Sequence, residues 1–194
     1  MHIAPSVTTP EPDLTARARI RGAAITCFAT EGFGASFTTI AQSAGVSPGL
    51  ITHHFGSKAS LRAECDTEVL RRYQAMKTEG LADASASLLG NLASPHFPAP
   101  LLVYMLRAIN AGGTSAQEFL EHLIDTVREI MKASVESGVI RPSRDEEARL
   151  RYLTYQQMGA VLIEFLTMPD ATPEEFVAKV LTGQRNQILP TLEL

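Results

Sequence analysis

The chain has 194 residues, of which 45% are hydrophobic and 20% charged, and its formal net charge is −4. This length suffices for one domain or two small domains with a buried core, and the composition excludes a disordered or collagen-like chain. The longest unbroken apolar run has six residues, Leu101 to Leu106, whereas a membrane-spanning helix needs about 20. No secretory signal is evident at the N-terminus. We therefore expect a cytoplasmic protein without a transmembrane segment.

The charge is distributed unevenly along the chain. Residues 1–62 contain five basic and three acidic side chains, a net charge of +2, and residues 63–194 carry the remaining −6. A slightly basic N-terminal part favours a molecule in which only that part contacts a polyanion. The two cysteines, Cys27 and Cys65, are too few for a disulfide framework or a four-ligand zinc site, so reduced thiols are expected.

The first 13 residues are polar and interrupted by proline, which predicts a flexible arm. From Thr15 the apolar residues recur with helical spacing. This pattern predicts an amphipathic helix that ends at Gly32 and has Cys27 on its buried face.

Two short helices are predicted next. Ser36 is a suitable N-cap for a helix over residues 37–44, and Ser47, followed by Pro48, is a suitable N-cap for a helix from 48 to about 55. A longer helix then spans 58 to about 80. Its predicted buried stripe consists of Leu61, Cys65, Val69 and Tyr73, and the predicted opposite face consists of Glu64, Glu68, Arg71, Arg72 and Lys77.

The remainder has helical periodicity throughout, and no stretch alternates with period two. Helices are predicted at about 84–93, 99–111, 115–137, 144–167 and 173–189. Thr172 as N-cap, Pro173 and Glu175 form the start signal of the last helix. The fold class is therefore all-α, with about nine helices.

The spacing of Ile40, Ala41, Gly45, Val46 and Ile51 is typical of a helix-turn-helix. A small residue at Ala41 allows the two helices to cross closely. Gly45 supplies a left-handed turn that a Cβ atom would strain. Ile40, Val46 and Ile51, together with Ala44, are expected to close the small core between the two helices.

Residues 15–61 resemble the DNA-binding domain of TetR-type (tetracycline-repressor-like) transcriptional regulators. The resemblance is carried by Arg17, Ile20, Ala23, Ala24, Phe28, Gly32, Phe33, Ile40, Ala41, Ala44, Gly45, Val46, Ser47, Gly49, His54, Phe55, Ser57, Lys58 and Leu61. It implies an all-helical homodimer. Residues 14–57 would form the DNA-binding domain, and residues 58–194 a ligand-binding and dimerisation domain whose ligand the family does not specify.

Eleven residues are candidate DNA contacts on this basis: Arg17, Ser36, Thr38, Ser47, Pro48, Gly49, Leu50, Thr52, His53, His54 and Lys58. The Ser47 hydroxyl and the neighbouring free amides offer a phosphate site, and Lys58 offers a point charge. The family commonly has a tyrosine at Thr52, an aromatic residue at His53 and a basic or polar residue at Pro48. Residues 48–55 contain no Arg, Asn or Gln, so specificity is expected from apolar contacts, the histidines and DNA shape.

His53 and His54 are adjacent, so their side chains point about 100° apart on a helix. Neither has a second metal-binding residue at helical spacing, and no metal site or cofactor is expected. The chain also lacks the usual enzymatic signatures, such as HExxH, GxSxG and the P-loop. We therefore predict that the protein is not an enzyme.

Polar side chains within otherwise apolar helices are candidate effector contacts. They are Tyr73, Met76, Tyr104, Arg107, Asn110, Tyr152, Tyr155 and Gln156. Each of them is also compatible with an ordinary position at the core edge or in an interface. Because Arg107 is a charged side chain in an otherwise apolar helix, it needs a partner, and Glu118, Glu121 or an acidic ligand would provide one.

The helices over 144–167 and 173–189 carry more apolar side chains than one contact side requires, which favours packing against a symmetry mate. These side chains are Leu153, Val161, Leu162, Phe165, Leu166, Phe176, Val177, Val180, Leu181 and Ile188. A monomeric core that absorbs them is the alternative.

The leading interpretation is a ligand-responsive dimeric regulator that binds double-stranded DNA at a palindromic operator. A repressor released by a small-molecule effector fits this interpretation best. The effector would tilt the helix that begins at Lys58, near Tyr73 or Met76, and so change the distance between the two DNA-binding domains. The alternative is a helical small-molecule-binding protein with little or no DNA binding.

Overall fold

The computed structural model describes residues 11–81 and 98–188, and every regular element within them is an α-helix. The helices are α1 (Glu11–Glu31), α2 (Phe37–Ala44), α3 (Pro48–Phe55), α4 (Lys58–Leu81), α5 (Ala99–Asn110), α6 (Gly113–Glu136), α7 (Glu146–Leu166) and α8 (Pro173–Ile188). The predicted all-α class is confirmed. The additional helix predicted over 84–93 lies outside the described residues.

Helix α1 begins at Glu11, four residues before the predicted start at Thr15. Residues 11–13, assigned to the arm from sequence, are therefore helical, and the rest of the predicted arm lies outside the described residues. Proline is tolerated in the first turn of a helix, and acidic residues there stabilise the helix through their interaction with its dipole. The sequence Glu11-Pro12-Asp13 thus continues the helix rather than interrupting it.

The chain divides into two compact units between Cys65 and Asp66, within α4. We call the described residues up to Cys65 the N-terminal unit and those from Asp66 the C-terminal unit. The predicted domain boundary, after Ser57, lies eight residues earlier. The start of α4 is fastened to the loop after α1, because Lys58 Nζ lies 3.1 Å from the Gly34 carbonyl and the Arg62 guanidinium lies 3.7 Å over the Phe33 ring.

The N-terminal unit has a single apolar core. Its fully buried side chains come from all four helices and include Ile20, Phe28, Ile40, Ile51 and Leu61. Cys27 and Cys65 are free thiols that are buried with them, as predicted for Cys27.

In the C-terminal unit, α5 is surrounded by α6, α7 and α8. Residues 101–106 are all buried, which explains why this helix is apolar on every side. The largest fully buried side chains are Tyr104, Phe119 and Phe176. A capping box starts α8, since the Thr172 amide donates to Glu175 Oε2 at 2.9 Å and the Glu175 amide to the Thr172 hydroxyl at 3.2 Å.

The predicted buried stripe of α4 is confirmed at Leu61, Cys65, Val69 and Tyr73. The predicted opposite face is wrong at two positions, because Glu68 and Lys77 are buried, with 7% and 5% exposure. Glu68 tolerates burial because Arg71 and Arg72 pair with its carboxylate at 2.9 and 2.7 Å. Helical periodicity identifies the centre of a buried stripe but not its width.

Candidate DNA-binding surface and effector region

The turn between α2 and α3 has the geometry of a helix-turn-helix. Gly45 ends α2 with φ +65° and ψ 41°, in the left-handed region, as the sequence predicted. The Val46 amide donates to the Ala41 carbonyl at 3.0 Å and satisfies the end of α2. An added Cβ on Gly45 would meet nothing within 4 Å, so glycine is required here by backbone conformation and not by crowding.

The N-termini of α2 and α3 are both capped by serine, as predicted. Ser36 Oγ accepts from the Thr39 amide at 3.0 Å, and Ser47 Oγ accepts from the Leu50 amide at 3.3 Å. Both serines are exposed, as is Thr38 in the first turn of α2. Two exposed helix N-termini with hydroxyl groups form a surface that suits phosphate oxygens.

Helix α3 has one buried and one exposed face. Ile51 and Phe55 are buried, with 0% and 4% exposure, as predicted. The exposed positions are Pro48, Gly49, Thr52 and His53, and the half-buried ones are Leu50 and His54. The exposed face therefore combines apolar groups, one hydroxyl and one imidazole, which can contact thymine methyl groups and phosphates in a DNA groove.

The two predicted cationic contacts differ in their surroundings. Lys58 is exposed, and its ammonium group retains donors beyond the single bond to Gly34. Arg17 is half-buried, and its guanidinium pairs with Glu64 inside the N-terminal unit. Lys58 is thus available to a phosphate, whereas Arg17 already has a carboxylate partner.

The eight candidate effector contacts fall into two groups. Tyr73 and Tyr104 are buried, and Met76 and Arg107 are half-buried. The exposed group consists of Asn110, Tyr152, Tyr155 and Gln156. The Tyr104 hydroxyl donates to Asp66 Oδ1 at 2.7 Å, which is the partner that a buried tyrosine requires.

Three buried or half-buried polar groups of the C-terminal unit have shifted pKa values. Burial lowers the pKa of Lys77 to about 8, and the Lys77 ammonium lies 5.8 Å from the centre of the Tyr73 ring. Burial raises the pKa of the Tyr73 hydroxyl and lowers the pKa of Arg107. The Arg107 guanidinium lies 5.5 Å from the centre of the Phe165 ring, and Glu121, one of its predicted partners, lies 3.5 Å from Arg151 instead.

Four large hydrophobic side chains are exposed on α7. Tyr152, Tyr155, Ile163 and Leu166 have exposures of 65%, 46%, 67% and 54%, and their spacing places them on one side of the helix. The apolar residues predicted for a dimer contact on α8 behave differently, because Phe176, Val177 and Val180 are buried within the chain. At these three positions the alternative holds, because the core of this unit absorbs the side chains.

A groove of about 400 Å³ lies between the end of α6 and the start of α7. Met131, Val135 and Leu150 supply its apolar lining, and charged side chains, including Arg128 and Glu147, surround them. Arg128 lies 3.1 Å from Glu147, which in turn lies 2.7 Å from Arg151. Sequence reasoning missed this groove because α6 and α7 are paired only in the folded chain.

Within residues 11–81 and 98–188, no three His, Cys, Asp or Glu side chains come together in a way that would hold a metal ion. Over the same residues, no helix has the length and apolar character needed to cross a membrane.

Comparison with known proteins identifies both parts of the chain. Residues 20–65 match the family model of bacterial regulatory proteins of the tetR family, and residues 97–194 match the tetracyclin repressor-like C-terminal domain. The chain is 37% identical over 183 residues to the HTH-type transcriptional regulatory protein RaaS of Mycobacterium tuberculosis, covering 94% of this chain and 85% of RaaS.

Two solved structures share the fold. One is a TetR-family transcriptional regulator from Rhodococcus sp., with a TM-score of 0.62, 23% identity and coverage of 87% of this chain and 95% of the other. The second is the transcriptional regulator FadR from Bacillus subtilis, with a TM-score of 0.56, 19% identity and coverage of 85% and 95%. The two family-model matches and the 37% identity to RaaS show that the chain belongs to the TetR family of DNA-binding transcriptional regulators.

Proposed function

We propose that this protein is a repressor that binds a palindromic operator as a homodimer and leaves it when a small-molecule effector binds the C-terminal unit. The observation that carries the proposal is the exposed face of α3. Two buried side chains on the opposite face, Ile51 and Phe55, hold the helix in place, and Ser47 caps its N-terminus. As a bacterial regulator of DNA, it would act in the cytoplasm.

The proposed DNA contacts are the exposed and half-buried residues of α2 and α3 together with Lys58. They are Ser36, Thr38, Ser47, Pro48, Gly49, Leu50, Thr52, His53, His54 and Lys58. The serine hydroxyls and Lys58 position the domain on phosphates, and Leu50, Thr52 and the histidines contact the bases. Without a bidentate side chain such as Arg, Asn or Gln on α3, one domain discriminates weakly, so two linked copies are required.

The proposed dimer contact is the apolar face of α7, formed by Tyr152, Tyr155, Ile163 and Leu166. Large apolar side chains with about half or more of their surface exposed are costly in a monomer and typical of an interface core. A two-fold axis through this face would bring the same residues of both copies into contact. Tyr152 and Tyr155, predicted as effector contacts, are better explained as interface residues.

The effector is proposed to contact the buried and half-buried candidates, which are Tyr73, Met76, Tyr104 and Arg107. They combine aromatic and aliphatic surface with a few polar atoms, as small-molecule sites do. The fold is compatible with such a site, because the Bacillus subtilis FadR structure was determined in complex with stearoyl-CoA.

Helix α4 is proposed to connect effector and operator binding, because it contains Lys58 at one end and Tyr73 and Met76 in its second half. Recognition helices of a dimer must lie about 34–36 Å apart to enter successive major grooves. An effector that binds better when this distance is wrong would shift the dimer away from DNA, whereas an effector indifferent to the two states would change nothing.

The test measures binding to DNA from upstream of the protein's own gene by fluorescence anisotropy at several salt concentrations. We expect saturable, salt-sensitive binding to one palindrome, and much weaker binding to an isolated half-site. Light scattering should show two chains per palindrome. If no binding occurs even at low salt, the alternative of a small-molecule-binding protein without DNA binding replaces the proposal. If a half-site binds as tightly as the palindrome, the dimer mechanism fails.

A further inference from the structure

The side chain of Arg17, on α1, joins two other helices of the N-terminal unit. Its Nε lies 3.2 Å from Glu64 Oε2 on α4, and its Nη2 bonds Glu64 Oε1, so the ion pair is bidentate. Its Nη1 donates to the backbone carbonyl of His54 at 2.5 Å. The guanidinium also lies over the ring of Phe55, with its Cζ 4.7 Å from the ring centre. A single side chain therefore contacts both the end of α3 and the second turn of α4.

The His54 carbonyl is one of the last carbonyls of α3, which have no partner inside the helix. A cation at this position is favourable, because the C-terminal end of a helix carries partial negative charge. Phe55 is 4% exposed, so the guanidinium rests on a ring that is itself held in the core. The end of α3 is thereby fixed in direction as well as in position.

The same geometry makes Arg17 a poor phosphate ligand. Its positive charge is compensated by the Glu64 carboxylate, so the pair offers little net charge to a polyanion. Fewer counterions are then released on DNA binding than with an uncompensated cation such as Lys58. We propose that Arg17 is a positioning residue that locks the end of the recognition helix α3 to α4 through Glu64, and that it does not contact DNA.

This lock has a consequence for regulation, which rests on the proposed function. Glu64 belongs to α4, so a rotation of the start of α4 would be passed to α3 through Arg17. The bidentate pair resists such a rotation in two directions, whereas a single lysine bond would not. The Arg17–Glu64 lock thus couples the orientation of the recognition helix α3 to that of α4, the helix that leads to the effector region.

The test compares Arg17→Gln, Glu64→Gln and the double variant in salt-dependent binding to the palindrome. Loss of either partner should weaken binding about tenfold, and the double variant should bind no more weakly than the weaker single variant, because both remove one lock. The salt slope of Arg17→Gln should stay unchanged, because the paired Arg17 makes no phosphate contact. A slope lower by about one unit in Arg17→Gln would show a phosphate contact and overturn the proposal. Glu64→Gln leaves the Arg17 charge uncompensated, so its salt slope is not part of this comparison.

A matched control is Arg19→Gln, which removes an exposed arginine two residues along α1. It should leave the exchange of the backbone amides at the end of α3 unchanged, whereas Arg17→Gln should accelerate exchange at Phe55, Gly56 and Ser57. Unchanged exchange in Arg17→Gln would also overturn the lock. Amide exchange is measured without DNA. If the native chain bound no palindrome, the proposed function would be wrong, but the exchange rates would still test whether Arg17 holds the end of α3.

Arg17→Lys serves where Arg17→Gln does not fold. Lysine keeps the charge but not the planar fork, so it should fold, bind DNA at an intermediate level and exchange faster at Gly56 than the native chain. Full native binding and native exchange in Arg17→Lys would show that charge alone suffices, and the lock would be wrong.

Discussion

The turn and caps of the helix-turn-helix differ from the core of the C-terminal unit in the range of the interactions that shape them. In the N-terminal unit the helix-turn-helix is set by contacts between near neighbours, such as Ser36 with Thr39, Ser47 with Leu50 and the left-handed Gly45. In the C-terminal unit, distant residues meet, as Tyr104 does with Asp66 across 38 positions. The turn and caps of the DNA-binding surface are therefore set by local contacts, whereas the end of α3 and the effector region depend on contacts between residues distant in sequence.

The variant with the largest expected effect tests whether α7 of the C-terminal unit forms the dimer interface. Ile163→Asp places a charge on the exposed apolar face of α7, and we expect a monomer in light scattering with about a hundredfold weaker binding to the palindrome. Half-site binding should be unchanged, because the N-terminal unit is untouched. Val139→Asp is the matched control, since Val139 is a similarly exposed β-branched residue at 47%, outside α7. A fully dimeric Ile163→Asp would remove α7 from the proposed interface.

The second prediction concerns the local turn of the N-terminal unit. Gly45→Val forces a β-branched residue into the left-handed region, at a cost of about 1–2 kcal/mol or more, so operator affinity should fall tenfold or more. Gly45→Asn, which tolerates this conformation, should retain most of the affinity. Equal anisotropy titrations for Gly45→Val and the native chain would break the claim that this turn is set by its backbone.

The third prediction concerns the buried Lys77 in the C-terminal unit. Because burial lowers its pKa from 10.5 to about 8, the unfolded chain holds more protons than the folded one between these pH values, and stability should rise as pH increases across this window. Lys77→Met has no amine to titrate, so it should lose this rise, which amounts to at most about 1.4 kcal/mol for each pH unit of the window. Urea titrations at pH 7 and 10 measure the change in the free energy of unfolding for both chains. An equal rise in Lys77→Met and the native chain would show that Lys77 does not titrate in this window.

The smallest effect is expected from Lys58. Lys58→Ala should weaken binding to all DNA sequences by a similar few-fold factor and lower the salt slope by about one, because one phosphate contact is lost. Lys132→Ala, which removes an exposed lysine of α6 in the C-terminal unit, should change neither quantity. An unchanged salt slope in Lys58→Ala would show that Lys58 makes no phosphate contact and serves only through its bond to the Gly34 carbonyl.

The helices and their caps were largely predictable. The sequence placed α2 and α3 at their observed bounds, and it identified the caps Ser36, Ser47 and Thr172. These features depend on residues three or four positions apart, which periodicity and cap preferences describe. The start of α1 was missed because Pro12 reads as a break, although the first turn of a helix accepts it.

By itself, the sequence determined the all-α class and the helix-turn-helix, because both depend on local spacing, and the resemblance of residues 15–61 to TetR-type regulators indicated the family. Only the tertiary structure decided how wide each buried face is, since that depends on helices distant in sequence. It buried Glu68 and Lys77, absorbed Phe176 into the core and left Tyr152 exposed. It also gave Arg17 a partner 47 positions away, which no short-range pattern can indicate. The positive charge of Arg17, which the family resemblance assigns to DNA, is thereby compensated within the protein.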